Sequence, residues 1–206
     1  MGSKKKGTKI FMRKLGFIVS VLLVFAGLAN AQIPTKGNIF VGYSYENVSS
    51  STFDFANTTR ANLNGWEATV EGKVFPWVSL VGDVAGHYGT QGYQFDLGGT
   101  LQDVNVTAHE ITGMFGPRVS VSVGKIRPFA EALFGVAYIT TSQTSSVATN
   151  FVQPSDTGFA WALGGGVDYK LFRPIAWRFQ GDYIETRFFQ TTQNNIRLST
   201  GLVFRF

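Results

Sequence analysis

The stretch Trp66-Glu67-Ala68-Thr69-Val70-Glu71-Gly72-Lys73-Val74 alternates apolar or small residues with polar ones at every position. Successive side chains of a β-strand point to opposite faces. The stretch therefore predicts a strand with one apolar face and one polar face. Its length is close to the roughly 9–11 residues that a tilted strand needs to cross a bilayer.

The same two-residue period recurs on both sides of this stretch, in segments of similar length. Pro117 makes the period less regular in one of them, and the run Gly164-Gly165-Gly166 in another predicts curvature or a close approach of backbones. A phosphate-binding loop would need a Lys-Ser/Thr pair after such a run, and none follows. The eight predicted strands are 39–45, 66–74, 78–88, 110–121, 128–138, 159–169, 175–187 and 196–206.

The connections between these segments alternate in length. Three are short, at 75–77, 122–127 and 171–174, and four are longer and rich in Ser, Thr, Asn, Gln and Gly, at 46–65, 89–109, 139–157 and 188–195. In transmembrane barrels the short turns lie in the periplasm and the longer loops are extracellular. The order predicts an all-β fold, an eight-stranded antiparallel up-and-down transmembrane β-barrel, with mobile extracellular loops and both ends of 32–206 in the periplasm.

The charged residues of these segments fall on the face opposite the large apolar side chains. A soluble barrel turns its apolar face inward, whereas a membrane barrel turns it outward, so the charges predict a polar interior. Eight strands enclose a lumen only wide enough for side chains to fill, which predicts a paired and blocked core; the alternative is a narrow porin-like channel for small solutes. The predicted lumen network has six acids and five bases: Glu67, Glu71, Lys73, Asp83, Arg118, Glu131, Asp168, Arg178, Asp182, Arg197 and Arg205.

Aromatic residues cluster near both ends of the predicted strands. Such belts are typical of the two membrane interfaces, where rings with apolar bodies tolerate water at their edges. One belt lies beside the short turns (Phe75, Trp77, Phe172, Trp177, Phe204 and Phe206) and the other beside the loops (Tyr45, Trp66, Tyr88, Tyr138 and Phe159).

Residues 1–31 predict a cleavable signal peptide, which leaves 32–206 as the barrel domain. Six basic residues precede an apolar run at 15–28, and Ala29 and Ala31 form a small-x-small cleavage site. The alternative is a retained membrane anchor, for which the run is short. Without the leader, twelve Lys and Arg face thirteen Asp and Glu, so the basic excess of the whole chain predicts no nucleic-acid partner. The absence of Cys excludes disulfides and Cys-based metal sites.

The sequence contains two histidines, and neither shows the pattern of a catalytic triad. His87 is predicted inside the barrel as part of the polar network. His109 and Glu110 are adjacent strand residues, which point to opposite sides. With no metal-ligand spacing and no cofactor motif, the sequence predicts no catalytic, cofactor or metal site, and a lipid A modifying enzyme is the least favoured alternative.

The last strand, Gly201-Leu202-Val203-Phe204-Arg205-Phe206, resembles the insertion signal of bacterial outer-membrane proteins. That resemblance implies that Leu202, Phe204 and Phe206 are read by the barrel assembly machinery. The chain as a whole resembles the small outer-membrane β-barrel family related to the transmembrane domain of outer membrane protein A. The resemblance lies in Val41-Gly42-Tyr43-Ser44-Tyr45, Asn64-Gly65-Trp66, Leu80-Val81-Gly82-Asp83-Val84, Gly116-Pro117-Arg118 and Arg127-Pro128-Phe129.

The resemblance implies a protein of the Gram-negative outer membrane, in contact with outer-membrane lipid and lipopolysaccharide. Together with the pattern of the strands, it leads us to expect a non-enzymatic, monomeric barrel. Its role is expected to be structural, adhesive or surface-binding, with an extracellular ligand that the sequence does not identify.

Overall fold

In the computed structural model the described residues are 36–49, 60–97, 100–145, 155–188 and 191–206. The predicted signal peptide, with Ala29 and Ala31, lies outside them. No helix in the described part of the chain is long and apolar enough to span a membrane. The strands are β1 Gly37–Ser49, β2 Arg60–Lys73, β3 Val78–Leu97, β4 Thr100–Ser120, β5 Ile126–Ser145, β6 Ser155–Phe172, β7 Ile175–Phe188 and β8 Thr191–Arg205.

The eight strands form a closed barrel in which each strand pairs with its chain neighbours and β1 pairs with β8. All pairings are antiparallel. Following the register once around the barrel from Asn38 leads back to β1 at Val48. The strands are therefore staggered and tilted, as closure of a barrel requires. The prediction of an eight-stranded antiparallel transmembrane barrel is confirmed.

We call the end with the short connections the turn end, and the opposite end the loop end. The turn end contains residues 74–77, 121–125 and 173–174 together with Lys36 and Phe206. Gly37 and Phe206 exchange backbone hydrogen bonds of 3.0 Å there, which join the start of β1 to the last residue.

The strands extend further toward the loop end than the sequence predicts. β3 continues to Leu97 and β4 begins at Thr100, so most of the predicted loop 89–109 is a β-ladder. The other three predicted loops also lose residues to strands at both ends. The prediction was wrong here because polar residues occupy both faces beyond the apolar band, which removes the two-residue period. Cross-strand pairs such as Thr90 and Thr107, whose hydroxyls lie 3.0 Å apart, remain, and β-branched residues suit strands.

The two faces of the wall have opposite polarity. Large apolar side chains are exposed on the outside, including Phe115 at 67% and Phe179 at 62%. Both predicted aromatic belts lie on this outer face, where every ring is exposed except that of Tyr45, which is half-buried. Charged side chains fill the inside: Arg118, Arg178 and Arg197 are fully buried. This is the arrangement of a barrel that faces lipid.

Candidate functional site

The interior near the turn end contains a network that we call the turn-end cluster. Its acids are Glu71, Glu131 and Asp168, and its bases are Arg118, Arg127, Arg178 and Arg205. Each acid lies on a strand whose polar face turns inward, and the barrel closure brings them together from distant parts of the sequence.

Glu71 lies at the centre of the turn-end cluster. Its carboxylate accepts hydrogen bonds from Arg118 at 3.0 Å, from Asn38 at 2.9 Å and from Ser79 at 2.8 Å, and it also pairs with Arg127. Every one of these partners is a donor, so both carboxylate oxygens are satisfied. A buried charge is tolerated when it is paired and hydrogen-bonded in this way.

Two other carboxylates complete the turn-end cluster. Glu131 contacts Arg118 Nη2 at 2.6 Å. Asp168 accepts hydrogen bonds from both Nε and Nη2 of Arg178, at 2.6 and 3.2 Å. A guanidinium that meets both oxygens of one carboxylate is held in orientation as well as in position.

An aromatic stack lies among these arginines. The guanidinium of Arg118 lies 4.3 Å from the ring centroid of Phe129, and that of Arg178 lies 4.6 Å from the same centroid. Arg178 also lies 5.0 Å from the ring of Phe40. Cation–π contacts of this kind stabilise desolvated guanidinium groups. Gly166 leaves room for the stack, because a Cβ there would lie 2.8 Å from Phe129 Cζ.

The interior toward the loop end contains a second network, the loop-end cluster, with five acids and one arginine. The acids are Glu46, Glu67, Asp83, Glu110 and Asp182, and the bases are Arg197 and His87. Arg197 contacts Asp83 at 3.0 Å, Asp182 at 2.9 Å and Glu67 at 3.5 Å. One guanidinium therefore serves three carboxylates.

Glu110 is the exception in the loop-end cluster. Its side chain is fully buried, yet neither of its carboxylate oxygens has a hydrogen-bond partner among the described residues. Glu46 repels it and Arg197 attracts it. A buried carboxylate without a partner costs stability.

His87 lies between Ser44 and Glu46. Its Nε2 is 2.8 Å from Ser44 Oγ, and its Nδ1 is 2.9 Å from Glu46 Oε2. Asn195 donates to the other Glu46 oxygen at 2.8 Å. His87 thus lies inside the barrel as part of the polar network, in contact with a hydroxyl and a carboxylate that the sequence pattern had not grouped with it. The sequence signal was Ser44-x-Glu46 on the inner face of β1, which the prediction missed because it placed Glu46 in a loop.

The hydrogen-bond directions at Ser44 differ from those of a serine nucleophile. The Ser199 hydroxyl donates its single proton to Glu67, so across the 2.9 Å contact between the two hydroxyls Ser44 must be the donor. Ser44 Oγ therefore has no proton left to donate to His87 Nε2, which lies 2.8 Å away. A catalytic base would need the reverse, an unprotonated Nε2 that accepts the serine proton. Ser44 is also fully buried.

Buried apolar side chains line the lumen toward the loop end. Val48, Leu63 and Ala108 form one buried group, and Ile139, Phe188 and Ile184 belong to a larger one. Arg118, Arg178 and Arg197, with no solvent-exposed surface, lie between these groups and the turn end.

The structure places ten of the eleven predicted lumen residues in these two clusters. Lys73 is the other: it is half-buried at the end of β2 and forms no ion pair with the described residues. Three buried charges were missed. Glu46 and Arg127 were assigned to a loop and a turn, and Glu110 was the first residue of its predicted strand. With them, the two clusters contain eight acids and five arginines, whereas the predicted network was close to neutral.

The β3–β4 ladder projects at the loop end. Its register continues from Tyr88↔His109 to Leu97↔Thr100, while the β2–β3 register ends at Asn64↔Tyr88. Residues 89–97 of β3 therefore have no ladder on their β2 side within the described chain. On the other side the sheet is wider, since β4 pairs with β5 as far as Val104↔Ser145.

The described residues contain no group of three or more His, Asp or Glu side chains placed to hold a metal ion. Polar and aromatic side chains toward the loop end pair with residues of the neighbouring strand. Tyr43 donates to Asn64 at 2.5 Å and Tyr45 donates to Asn62 at 2.8 Å, and the ring of Tyr88 packs edge-on against His109.

No protein-family model matches the sequence, and no curated protein matches it. Solved structures share its fold. The crystal structure of Ail, the attachment invasion locus protein of Yersinia pestis, has a TM-score of 0.53 and 13% identity, over 83% of this chain and 98% of that chain. The crystal structure of Neisserial surface protein A has a TM-score of 0.56 and 11% identity, over 82% of this chain and 97% of that chain. The chain therefore has the fold of the small eight-stranded barrels of bacterial outer membranes.

Proposed function

We propose that this protein is a non-enzymatic, monomeric barrel of the Gram-negative outer membrane that binds a partner at the cell surface through its loop end. The observation that carries the proposal is the projecting β3–β4 ladder, in which residues 89–97 have no ladder on their β2 side with any residue that the structure describes. An unpaired strand edge is a template for another extended chain. The name of Ail, a protein of similar fold, also refers to attachment and invasion.

The surface-binding proposal is tested by trimming the projecting ladder. We expect replacement of residues 91–106 by a two-residue turn to abolish adherence of cells that display the barrel to a monolayer of cultured animal cells. The barrel itself should remain folded, which its heat-modifiable migration on gels would show. Undiminished adherence of the trimmed barrel would contradict the proposal.

The proposed orientation puts the loop end outside the cell and the turn end, with both ends of 32–206, in the periplasm. The supporting observation is the exposed apolar band with its two aromatic belts, which would contact outer-membrane lipid and lipopolysaccharide. Because the chain has no Cys, the single variants Thr90→Cys and Ser122→Cys can report the two ends. A membrane-impermeant maleimide should label Thr90→Cys on intact cells and should label Ser122→Cys only after lysis.

We infer that the barrel neither catalyses a reaction nor conducts solutes. The buried position of Ser44, whose proton points to Ser199, and the buried arginines of the lumen support this inference. A planar-bilayer recording tests the porin-like alternative. We expect no steady unitary currents from the refolded protein, and such currents would favour a narrow channel.

The proposed assembly signal is the outer face of β8. Phe204 and Phe206 are exposed there, at 43% and 62%, and Leu202 is half-buried beside them. We expect deletion of Phe206 to reduce the amount of folded barrel in the outer membrane, because the barrel assembly machinery would read this strand. Normal insertion of the deletion variant would contradict that role.

A further inference from the structure

The turn end has a ring of basic side chains, which we call the cationic rim. All four lysines that follow residue 31 belong to it. The connections at this end, 74–77, 121–125 and 173–174, contain no Asp or Glu. The cationic rim consists of Lys36, Lys73, Lys125, Lys170, Arg173 and Arg205.

The bases of the cationic rim are crowded and largely without counter-charges. Arg205 pairs with Asp168 at 3.3 Å, and the other five form no ion pair with the described residues. The Lys73 amide donates to the Lys36 carbonyl at 3.2 Å, and the Lys170 amide donates to the Lys125 carbonyl at 2.8 Å. These backbone bonds hold the lysines in two neighbouring pairs. Arg127, Lys36 and Arg205 repel the Lys73 ammonium, and Glu71 attracts it.

The loop end has a different charge pattern. Its exposed bases Arg60 and Arg187 are accompanied by the half-buried acids Asp156 and Glu185. Among the described residues, bases with few nearby acids therefore lie at the turn end, whereas charges of both signs are mixed at the loop end, and the basic end would attract anions.

The position of the cationic rim along the barrel indicates which anion it would meet. Phe75, Trp77 and Phe206 lie at the same end and are 60%, 60% and 62% exposed. Aromatic side chains at the edge of an apolar band mark the level of lipid headgroups. The bases of the cationic rim lie at this same end of the barrel, and a basic residue near a membrane surface attracts anionic lipid.

From this charge and position we propose that the cationic rim is a binding site for the phosphate groups of anionic phospholipids. It would gather them in the leaflet that the turn end reaches. The inference rests on the proposed insertion of the barrel in a membrane, and under the proposed orientation this leaflet is the periplasmic one.

Fluorescence quenching in nanodiscs tests the inference. Trp77 lies in the β2–β3 connection, which is flanked around the barrel by Lys36 and Lys125, and it becomes the sole reporter after Trp66→Phe, Trp161→Phe and Trp177→Phe. Two nanodisc samples contain the same mixture of phosphatidylcholine and phosphatidylglycerol. In one sample phosphatidylcholine carries brominated chains, and in the other phosphatidylglycerol carries them. We expect a local enrichment of phosphatidylglycerol of about two- to fivefold, seen as stronger quenching by its brominated form.

The matched variants change the same number of exposed bases at opposite ends. Lys36→Gln with Lys125→Gln should remove most of the preference, while Arg60→Gln with Arg187→Gln should leave it unchanged. Salt at about 1 M should also remove it, because the Debye length falls to about 3 Å.

The outcomes separate the inference from the proposed membrane insertion. Equal quenching by the two brominated lipids would overturn the phosphate site and leave insertion intact. A preference that both variant pairs lose equally would assign the effect to net charge rather than to the cationic rim, which also overturns the inference. Absence of quenching by either lipid would contradict insertion itself.

Discussion

The turn-end and loop-end clusters solve the same problem, buried charge inside a narrow barrel, in different ways. At the turn end three acids meet four arginines, and a single acid, Glu71, contacts both Arg118 and Arg127. At the loop end five acids share Arg197 and His87, and Glu110 has no hydrogen-bond partner among the described residues. The turn-end cluster is therefore redundant, whereas the loop-end cluster depends on one guanidinium.

The largest expected effect follows from removing that guanidinium. Arg197→Met would leave Asp83, Asp182 and Glu67 buried together without their shared cation. We expect a loss of about 3–5 kcal/mol in the free energy of unfolding, the usual range when one partner of a buried ion pair is removed. Urea unfolding in lipid vesicles, followed by gel migration, measures it. Arg187→Met, at an exposed position, is the control and should change little.

A smaller loss is expected from the corresponding change in the redundant cluster. In Arg118→Met, Glu71 keeps Arg127 and its Asn38 and Ser79 donors, so Glu131 is the only acid that loses its cation. We expect about 3 kcal/mol by the same measurement, the low end of that range, because only one acid loses its cation. A loss equal to that of Arg197→Met would show that the redundancy has no energetic consequence.

The aromatic stack gives a third test of the turn-end cluster. Phe129→Leu keeps an apolar side chain but removes the ring between Arg118 and Arg178. We expect a loss of about 1–2 kcal/mol, because desolvated cation–π contacts are strong. Phe115→Leu removes a ring from the outer face and should cost less in the same assay.

The smallest effect has the opposite sign. Glu110→Gln keeps the shape of the side chain but removes a buried negative charge that faces Glu46. We expect the barrel to gain up to about 1 kcal/mol at neutral pH, since an uncompensated buried charge is removed. The matched change Glu71→Gln should be destabilising, because it weakens contacts with two arginines. A destabilised Glu110→Gln variant would show that Glu110 has a stabilising partner.

The sequence by itself determined the number of strands, the polarity of the two faces and the end at which the lysines lie. These properties are local: a two-residue period assigns each side chain to a face, and the length of a connection assigns it to an end. Glu67, Glu71 and Asp83 could be placed inside the barrel for this reason alone. The period disappears where both faces meet water, so the extent of β3 and β4 could not be read in the same way.

Only the tertiary structure decided which interior charges meet. Arg197 and Asp83 lie on β8 and β3, and Glu71 and Arg127 lie on β2 and β5; such contacts across the lumen depend on how far each strand is staggered against the next. The sequence contains the alternation but not that stagger. For the same reason His87 could be placed inside the barrel, while its position between Ser44 and Glu46 followed only from closure.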